Sequence, residues 1–159
     1  EQRGQHLTSK FFPCVFISSL LQSVTQFKWK SLHVSHNAIG DEGATKVAQL
    51  IVANDACPSI TALELGYNRI KNDGAIALAN AMRKNKSIKL LDLEYNKIEY
   101  DGIKNLAFMI VENTTMETMI IGGNKLGEQA FCLLANTDMN FPELEFSTKL
   151  AADQEDDIN

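Results

Sequence analysis

The sequence predicts an α/β solenoid built from stacked strand–turn–helix repeats. Three observations predict it. One pattern recurs four times along the 159-residue chain. Within each copy, alternate apolar residues have the two-residue period of a strand, and the residues that follow have the period of an amphipathic helix. Because no copy can bury its own apolar face, the copies are expected to stack.

The first half of each copy predicts a short strand followed by a turn. The four L-x-L-type segments begin at Leu32, Leu63, Leu91 and Met119. An asparagine follows each segment, and these asparagines are Asn37, Asn68, Asn96 and Asn124. The asparagines are 31, 28 and 28 residues apart, so the first gap contains a small insertion around Asp55 to Pro58. An asparagine amide can bond backbone groups at a turn, and the stacked asparagines are therefore predicted to form a ladder.

The second half of each copy predicts a helix. A small residue comes first, at Gly43, Gly74, Gly102 and, in the fourth copy, Ala130. It would let the helix approach its neighbour closely. The predicted apolar stripes are Ile76, Leu78, Ala79 and Met82 in the second copy and Leu106, Ala107 and Ile110 in the third. Asn85 and Asn113 are expected to close these helices, at a position that asparagine tolerates well.

A further apolar residue precedes each strand, and it completes the pattern L-x-x-L-x-L-x-x-N-x-L. These residues are Trp29, Ile60, Ile88 and Met116. The completed pattern resembles the leucine-rich repeat family, and the repeat length is similar to that of its ribonuclease-inhibitor-like subclass. The resemblance covers residues 29–136 and implies a right-handed solenoid with parallel strands on the concave face and helices on the convex face.

The ends of the repeat array are expected to be capped, because an open core edge would meet water. Residues 1–28 are predicted to form an N-terminal capping segment or partial repeat, with a helix at residues 15–27. Residues 29–136 carry the four repeats. Residues 137–159 are predicted to form a C-terminal cap, with a short strand within residues 141–146 and an acidic tail at residues 153–157.

Composition and charge favour a folded protein that acts in a reducing compartment. The net charge is −5, which disfavours nucleic acid and anionic membranes as partners. The cysteines, Cys14, Cys57 and Cys132, have neither disulfide-framework nor zinc-site spacing. The apolar run at residues 11–21 is too short to span a bilayer. We therefore expect a cytoplasmic protein, with a cytoskeletal or ciliary assembly as one setting.

The outward positions of the strands predict a partner-binding surface on the concave face. One row contains His33, Glu64 and Asp92, the next contains Glu94, and a row at the strand exits contains His36, Tyr67 and Tyr95. Carboxylates beside tyrosines suit a protein partner with a basic or mixed surface. The two histidines lie on a strand and a turn, which does not direct both rings to one metal ion, so no metal site is predicted.

The chain carries no phosphate-loop, nucleophile-elbow, zinc-protease or dinucleotide motif, so neither an enzyme nor a cofactor is predicted. The expected function is a protein-interaction module that serves as a scaffold or as a subunit of a larger assembly. Alternatives from the same repeat class are a Ran-type GTPase activator, with Arg69 as its exposed arginine, and a regulatory fragment of an innate-immune receptor or an axonemal component. The sequons at Asn85 and Asn113 are interpreted as incidental.

Overall fold

The computed structural model describes residues 5–8, 29–53, 60–140 and 145–147. Six strands and four helices lie in these ranges. The strands are β1 (Gln5–Thr8), β2 (Trp29–His33), β3 (Ala62–Glu64), β4 (Leu90–Asp92), β5 (Thr118–Ile120) and β6 (Glu145–Ser147). The helices are α1 (Gly40–Ala53), α2 (Asn72–Met82), α3 (Tyr100–Glu112) and α4 (Gly127–Asn140).

The described strands form one parallel sheet in chain order from β1 to β6. Each helix connects two neighbouring strands, so the chain advances by one strand–turn–helix unit at a time. The register pairs Leu32 with Leu63, Leu63 with Leu91, and Leu91 with Met119. Equivalent residues of successive repeats therefore lie side by side, and the predicted stacked α/β solenoid is confirmed.

The core lies between the sheet and the helices, and the two-residue period of the strands builds it. Leu63 and Leu65 are completely buried, whereas Glu64 between them is only partly buried on the opposite face of the sheet. The apolar residues after the first three turns, Ile39, Ile70 and Ile98, are buried, whereas Leu126 after the fourth is only partly buried.

The glycines of the repeat allow the helices to pack closely. Gly74 and Gly102 lie in the first turns of α2 and α3. A Cβ atom on Gly74 would lie 2.9 Å from the Cβ atom of Ala44 on α1, and one on Gly102 would lie 3.2 Å from that of Ala75 on α2. The predicted role of these glycines in close helix approach is confirmed.

The predicted asparagine ladder is present, and Asn96 shows its geometry. The Asn96 Oδ1 atom accepts hydrogen bonds from the backbone N–H groups of Asn68 (3.0 Å) and Ile70 (2.9 Å). Its Nδ2 atom donates to the carbonyl oxygens of Leu65 and Leu93, each at 3.0 Å. Since these partners lie in two repeats, each amide both closes its own turn and joins it to the preceding one. Equivalent bonds are made by Asn68 and Asn124.

A second set of polar contacts between repeats caps the helices. Neither Lys71 nor Glu99, the N-cap residues of α2 and α3, makes a side-chain capping bond. The Asp41 carboxylate on α1 instead accepts hydrogen bonds from the N–H groups of Lys71 (2.7 Å) and Gly74 (3.0 Å). Asn72 makes the equivalent pair of bonds to the first turn of α3, at 2.9 and 3.1 Å. Each cap thus comes from the preceding repeat, which couples helix formation to stacking.

One residue of the predicted apolar stripes is misplaced. Ile76 was expected to face the core, but its side chain is only partly buried, and Ala75 is completely buried instead. Ala75 lies at the contact with Gly102 on the next helix, where there is room only for a small side chain. The other predicted members of both stripes are buried.

Asn113 closes α3 as its C-cap residue, as predicted. Asn113 has an extended backbone, with φ −94° and ψ 110°, rather than a left-handed one. Its buried amide accepts hydrogen bonds from the N–H groups of Thr115 (2.7 Å) and Met116 (3.0 Å) and donates to the Met82 carbonyl oxygen (2.6 Å). Asn85, also buried, accepts the equivalent pair from the chain that follows it. Both sequon asparagines therefore have a structural role that orders the loop before the next strand.

Several expectations about the ends fall outside the described residues. These are the helix at residues 15–27, the insertion around residues 55–58, the acidic tail at residues 153–157, and Cys14 and Cys57. A strand does occur near the predicted C-terminal one, at Glu145–Ser147, where it extends the sheet beside β5. The proposed domain limits remain predictions.

Candidate functional site

The sheet register brings the predicted acidic and histidine residues into one row. His33 pairs with Glu64 across β2 and β3, and Glu64 pairs with Asp92 across β3 and β4. The His33 Nδ1 atom lies 2.5 Å from the Glu64 carboxylate, and its Nε2 atom lies 2.8 Å from the Ser31 hydroxyl. Both ring nitrogens are engaged, so His33 is held against Glu64 at one edge of the row.

Asp92 and Glu94 come together over a glycine. A Cβ atom on Gly66 would lie 3.1 Å from the Glu94 Cγ atom and 3.3 Å from the Asp92 Oδ2 atom. The missing side chain at Gly66 therefore leaves the space that both acidic side chains occupy. The Asp92 Oδ1 atom also accepts a hydrogen bond from the backbone N–H of Glu94 (2.8 Å), which fixes the orientation of its carboxylate.

The charge on this acidic pair is not compensated. Among the described residues, no lysine, arginine or histidine forms an ion pair with Asp92 or Glu94. The pKa of the Asp92 carboxyl is raised to about 6, mainly by burial. The hydrogen bond from the Glu94 N–H lowers this pKa, and the charges of Glu94 and Glu64 contribute to raising it. The protein thus holds a carboxylate where its ionised form is disfavoured.

Beside the acids, three stacked rings form a ridge at the strand exits. The rings of His36 and Tyr67 are stacked at a centroid distance of 4.2 Å, and those of Tyr67 and Tyr95 at 4.5 Å. A Cβ atom on Gly123 would lie 2.6 Å from the Tyr95 ring, so the stack ends above this glycine. We call His36, Tyr67 and Tyr95 the aromatic ladder.

The backbone of the aromatic ladder is left-handed. The φ angles are 63° at His36, 58° at Tyr67 and 47° at Tyr95. This conformation costs a residue with a side chain about 1–2 kcal/mol. Hydrogen bonds hold it in place, because the N–H groups of Tyr67 and Tyr95 donate to the carbonyl oxygens of Glu94 (2.9 Å) and Gly122 (2.8 Å) in the next repeat.

The two tyrosines of the aromatic ladder are partly exposed to solvent. Tyr67 and Tyr95 are each 39% exposed. Burial raises the pKa of the Tyr67 hydroxyl, and the neighbouring Glu94, Tyr95 and Asp92 raise it further. The Tyr67 hydroxyl is therefore neutral at physiological pH and can donate a hydrogen bond. The ladder can supply rigid contact area and hydroxyl donors to a partner.

All seven predicted site residues lie in this region, but the prediction missed a neighbouring row of the concave face. Ser31, Ala62, Leu90 and Thr118 align across β2 to β5, two residues before the acidic row. Leu90 is only partly buried because it lies on the same outward face of β4 as Asp92. Ile120, which lies beside Asp92 in the acidic row, is also only partly buried. Strand alternation alone would have identified this row, because it lies two positions before Glu64 and Asp92.

The structure also places Arg69 and bears on metal sites and membrane-spanning helices. Arg69, the arginine of the GTPase-activator alternative, is exposed after Asn68 and has a φ of 61°. In the part of the chain that the structure describes, no group of three or more His, Cys, Asp and Glu residues could hold a metal ion. No helix in the described ranges is long and apolar enough to cross a membrane.

Comparison with known proteins agrees with this geometry. Residues 30–48, 56–79 and 84–107 match a family model described as Leucine Rich repeat. The fold is a leucine-rich repeat solenoid. The fourth repeat lies outside the matched segments, yet β5 and α4 repeat the same strand–turn–helix geometry. No curated protein matches the chain in sequence.

Solved structures share the leucine-rich repeat fold. Leiomodin-1 Actin-Binding Site 2 is similar with a TM-score of 0.69. The similarity covers 88% of this chain and 83% of the leiomodin-1 chain, at 19% sequence identity. At this identity, the likeness concerns the fold.

Proposed function

We propose that this leucine-rich repeat solenoid is a non-catalytic protein-interaction module that binds a protein partner through its concave face. The partner would contact His33, His36, Glu64, Tyr67, Asp92, Glu94 and Tyr95. The observation that carries this proposal is the aromatic ladder beside an uncompensated acidic pair. Exposed tyrosines supply contact area at a small cost in side-chain entropy, and nearby carboxylates steer and pair with basic groups.

The energetic cost of ionising Asp92 supports a role of this surface in binding. The Asp92 carboxylate stores unfavourable free energy in the isolated protein, because its ionised form is disfavoured there. Such features concentrate at functional sites, where a ligand can relieve them. A basic side chain placed between Asp92 and Glu94 would compensate their charge.

The chemistry of the same surface favours a basic or mixed protein partner over nucleic acid or an anionic membrane. The chain has a net charge of −5, and the face contains the carboxylates of Glu64, Asp92 and Glu94. Phosphate groups would be repelled by these carboxylates.

We further propose a cytoplasmic setting within a larger cytoskeletal assembly. We also propose membership of the ribonuclease-inhibitor-like subclass. A full α-helix in each repeat and a 28-residue spacing between Asn68, Asn96 and Asn124 support the subclass. The leiomodin-1 domain is named as an actin-binding site. Actin is therefore the first specific partner that we would test.

The proposed function is tested by affinity capture from native lysate with the immobilised chain as bait. Binding of purified actin to the same chain is measured in a separate experiment. Wild type is compared with the Glu64→Lys/Asp92→Lys variant, which reverses the charge of the concave face. Asp73→Lys/Asp101→Lys is the control, since it makes the same charge change at exposed helix positions. A partner lost only from the concave variant supports the proposal.

Equal capture by all three proteins would contradict binding through the concave face. Recovery of a small GTPase, with loss of its accelerated hydrolysis in Arg69→Ala, would instead favour the activator alternative.

A further inference from the structure

The partly buried apolar residues on the solvent side of the sheet have no role in the core. Leu90 lies two residues before Asp92 on β4, and Ile120 lies beside Asp92 on β5. Side chains two residues apart on a strand are separated by about 6.6 Å, and those on adjacent strands by about 4.8 Å. An acidic group and two apolar groups therefore form one continuous surface.

We propose that this surface binds an extended protein segment in which a lysine or arginine lies two positions from an apolar residue. The inference rests on the proposed function and names the chemistry of its partner. The basic side chain contacts Asp92 and Glu94, and the apolar one contacts Leu90. In an extended segment, residues two positions apart face the same side at the spacing that separates Leu90 from Asp92.

Charge complementarity indicates that the bound segment carries a basic residue opposite Asp92 and Glu94. Glu64 already has His33 as a partner, whereas Asp92 and Glu94 have no ion-pairing partner among the described residues. Both side chains converge over Gly66, so one cationic group can reach both. A guanidinium group suits two neighbouring carboxylates because it presents several N–H donors in one plane.

The aromatic ladder determines how the cation is held. Each ring face between His36, Tyr67 and Tyr95 is covered by the next ring, and Tyr95 is covered on its far side by Gly123. A cage for a quaternary ammonium ion needs open ring faces. The ladder instead offers hydroxyl groups and ring edges, so the carboxylates are the main partners of the cation.

The test is a selection of random ten-residue peptides displayed on phage, with the folded full chain as bait. We expect enrichment of peptides with an apolar residue two positions from a lysine or arginine. The affinity of a selected peptide should fall about tenfold or more in Asp92→Asn and in Leu90→Gln, as lost charge-assisted and apolar contacts predict. Val111→Gln, at an exposed apolar position on α3, should leave the peptide affinity unchanged.

The possible results separate this inference from the proposed function. Enriched peptides without basic residues, whose binding is lost in Tyr67→Gly/Tyr95→Gly, would overturn the inference and leave the concave-face function standing. Selected peptides that bind all variants with equal affinity would overturn both this inference and the proposed function. Failure to enrich any peptide would overturn the inference, because a preformed site for a short extended segment should select one.

Discussion

The rings of Tyr67 and Tyr95 stack at a centroid distance of 4.5 Å with an interplanar angle of 13°, although both residues have a left-handed backbone. Stacking of this kind contributes about 0.5–1.5 kcal/mol, which is similar in size to the cost of the backbone conformation. The ladder is therefore close to neutral for folding. Its main consequence is a rigid aromatic ridge on the surface.

The backbone strain at Tyr67 predicts an unusual order of stabilities. Tyr67→Ala removes the ring and keeps the strain, whereas Tyr67→Gly removes both. We expect the glycine variant to be more stable than the alanine variant by about 1–2 kcal/mol in urea unfolding.

The same pair of substitutions at Glu94 is the matched control, because its φ is not positive. There the alanine variant should be the more stable one, by about 0.5–1 kcal/mol. The same order at both positions would argue against strain in the ladder.

Asp92 should make the stability of the protein depend on pH. Its folded-state pKa of about 6 is above the ordinary value of 3.8, so the folded protein binds more protons than the unfolded chain between these values. This contribution to stability is fully present below pH 3.8 and is lost as the pH rises through about 6.

Asp92→Asn should therefore melt at a higher temperature than wild type at pH 7.5 and show no such advantage at pH 4. Asp101→Asn, at an exposed position on α3, serves as the control in the same thermal scans. An Asp92 carboxyl that titrates near pH 4 in carbon-detected NMR would refute this account of the acidic pair.

The asparagine ladder should be a major source of stability. Asn96→Ala leaves the buried N–H groups of Asn68 and Ile70 without their amide acceptor. The carbonyl oxygens of Leu65 and Leu93 lose one of two amide donors and keep those of Asn68 and Asn124. We expect a loss of about 2–4 kcal/mol in the free energy of unfolding. Asn105→Ala removes one exposed bond to the Asp101 carbonyl oxygen and should change stability by less than about 0.5 kcal/mol. Similar losses in the two variants would contradict a major stabilising role for the asparagine ladder.

Core substitutions test the register of the repeats. Leu65→Ala and Leu93→Ala each open a cavity at a completely buried position, and each should cost about 2–5 kcal/mol. Val111→Ala, 58% exposed on α3, should cost less than about 0.5 kcal/mol in the same denaturation experiments. Melting behaviour like that of wild type for the two leucine variants would show that the register is wrong.

The spacing of equivalent residues made much of the fold predictable. Once Asn68 and Asn96 are aligned, strand alternation places Leu65 and Leu93 inside and Glu64 and Asp92 outside, as observed. The same alignment brings the tyrosines and acids together. These features depend on local period and on stacking, both of which can be read from one chain.

Features that depend on the detailed path of the backbone were not predictable in this way. The left-handed φ of Tyr67 is unexpected for a bulky residue, and the cap that Asp41 supplies to the next helix depends on contacts between repeats. The extended conformation of Asn113 follows from its bonds to the chain that leads into the next strand. Leu90, in contrast, was predictable from strand alternation, and it was missed because an apolar residue in a strand is usually assigned to the core.

Hydroxyl-radical footprinting of the chain with a captured partner tests binding through the concave face most directly. Tyr67 and Tyr95 are each 39% exposed, and Tyr100 at the start of α3 is 38% exposed, so the three begin with matched accessibility. We predict that the partner protects Tyr67 and Tyr95 from oxidation and leaves Tyr100 as reactive as in the free protein. Protection of Tyr100 alone, with the aromatic ladder unchanged, would contradict the account.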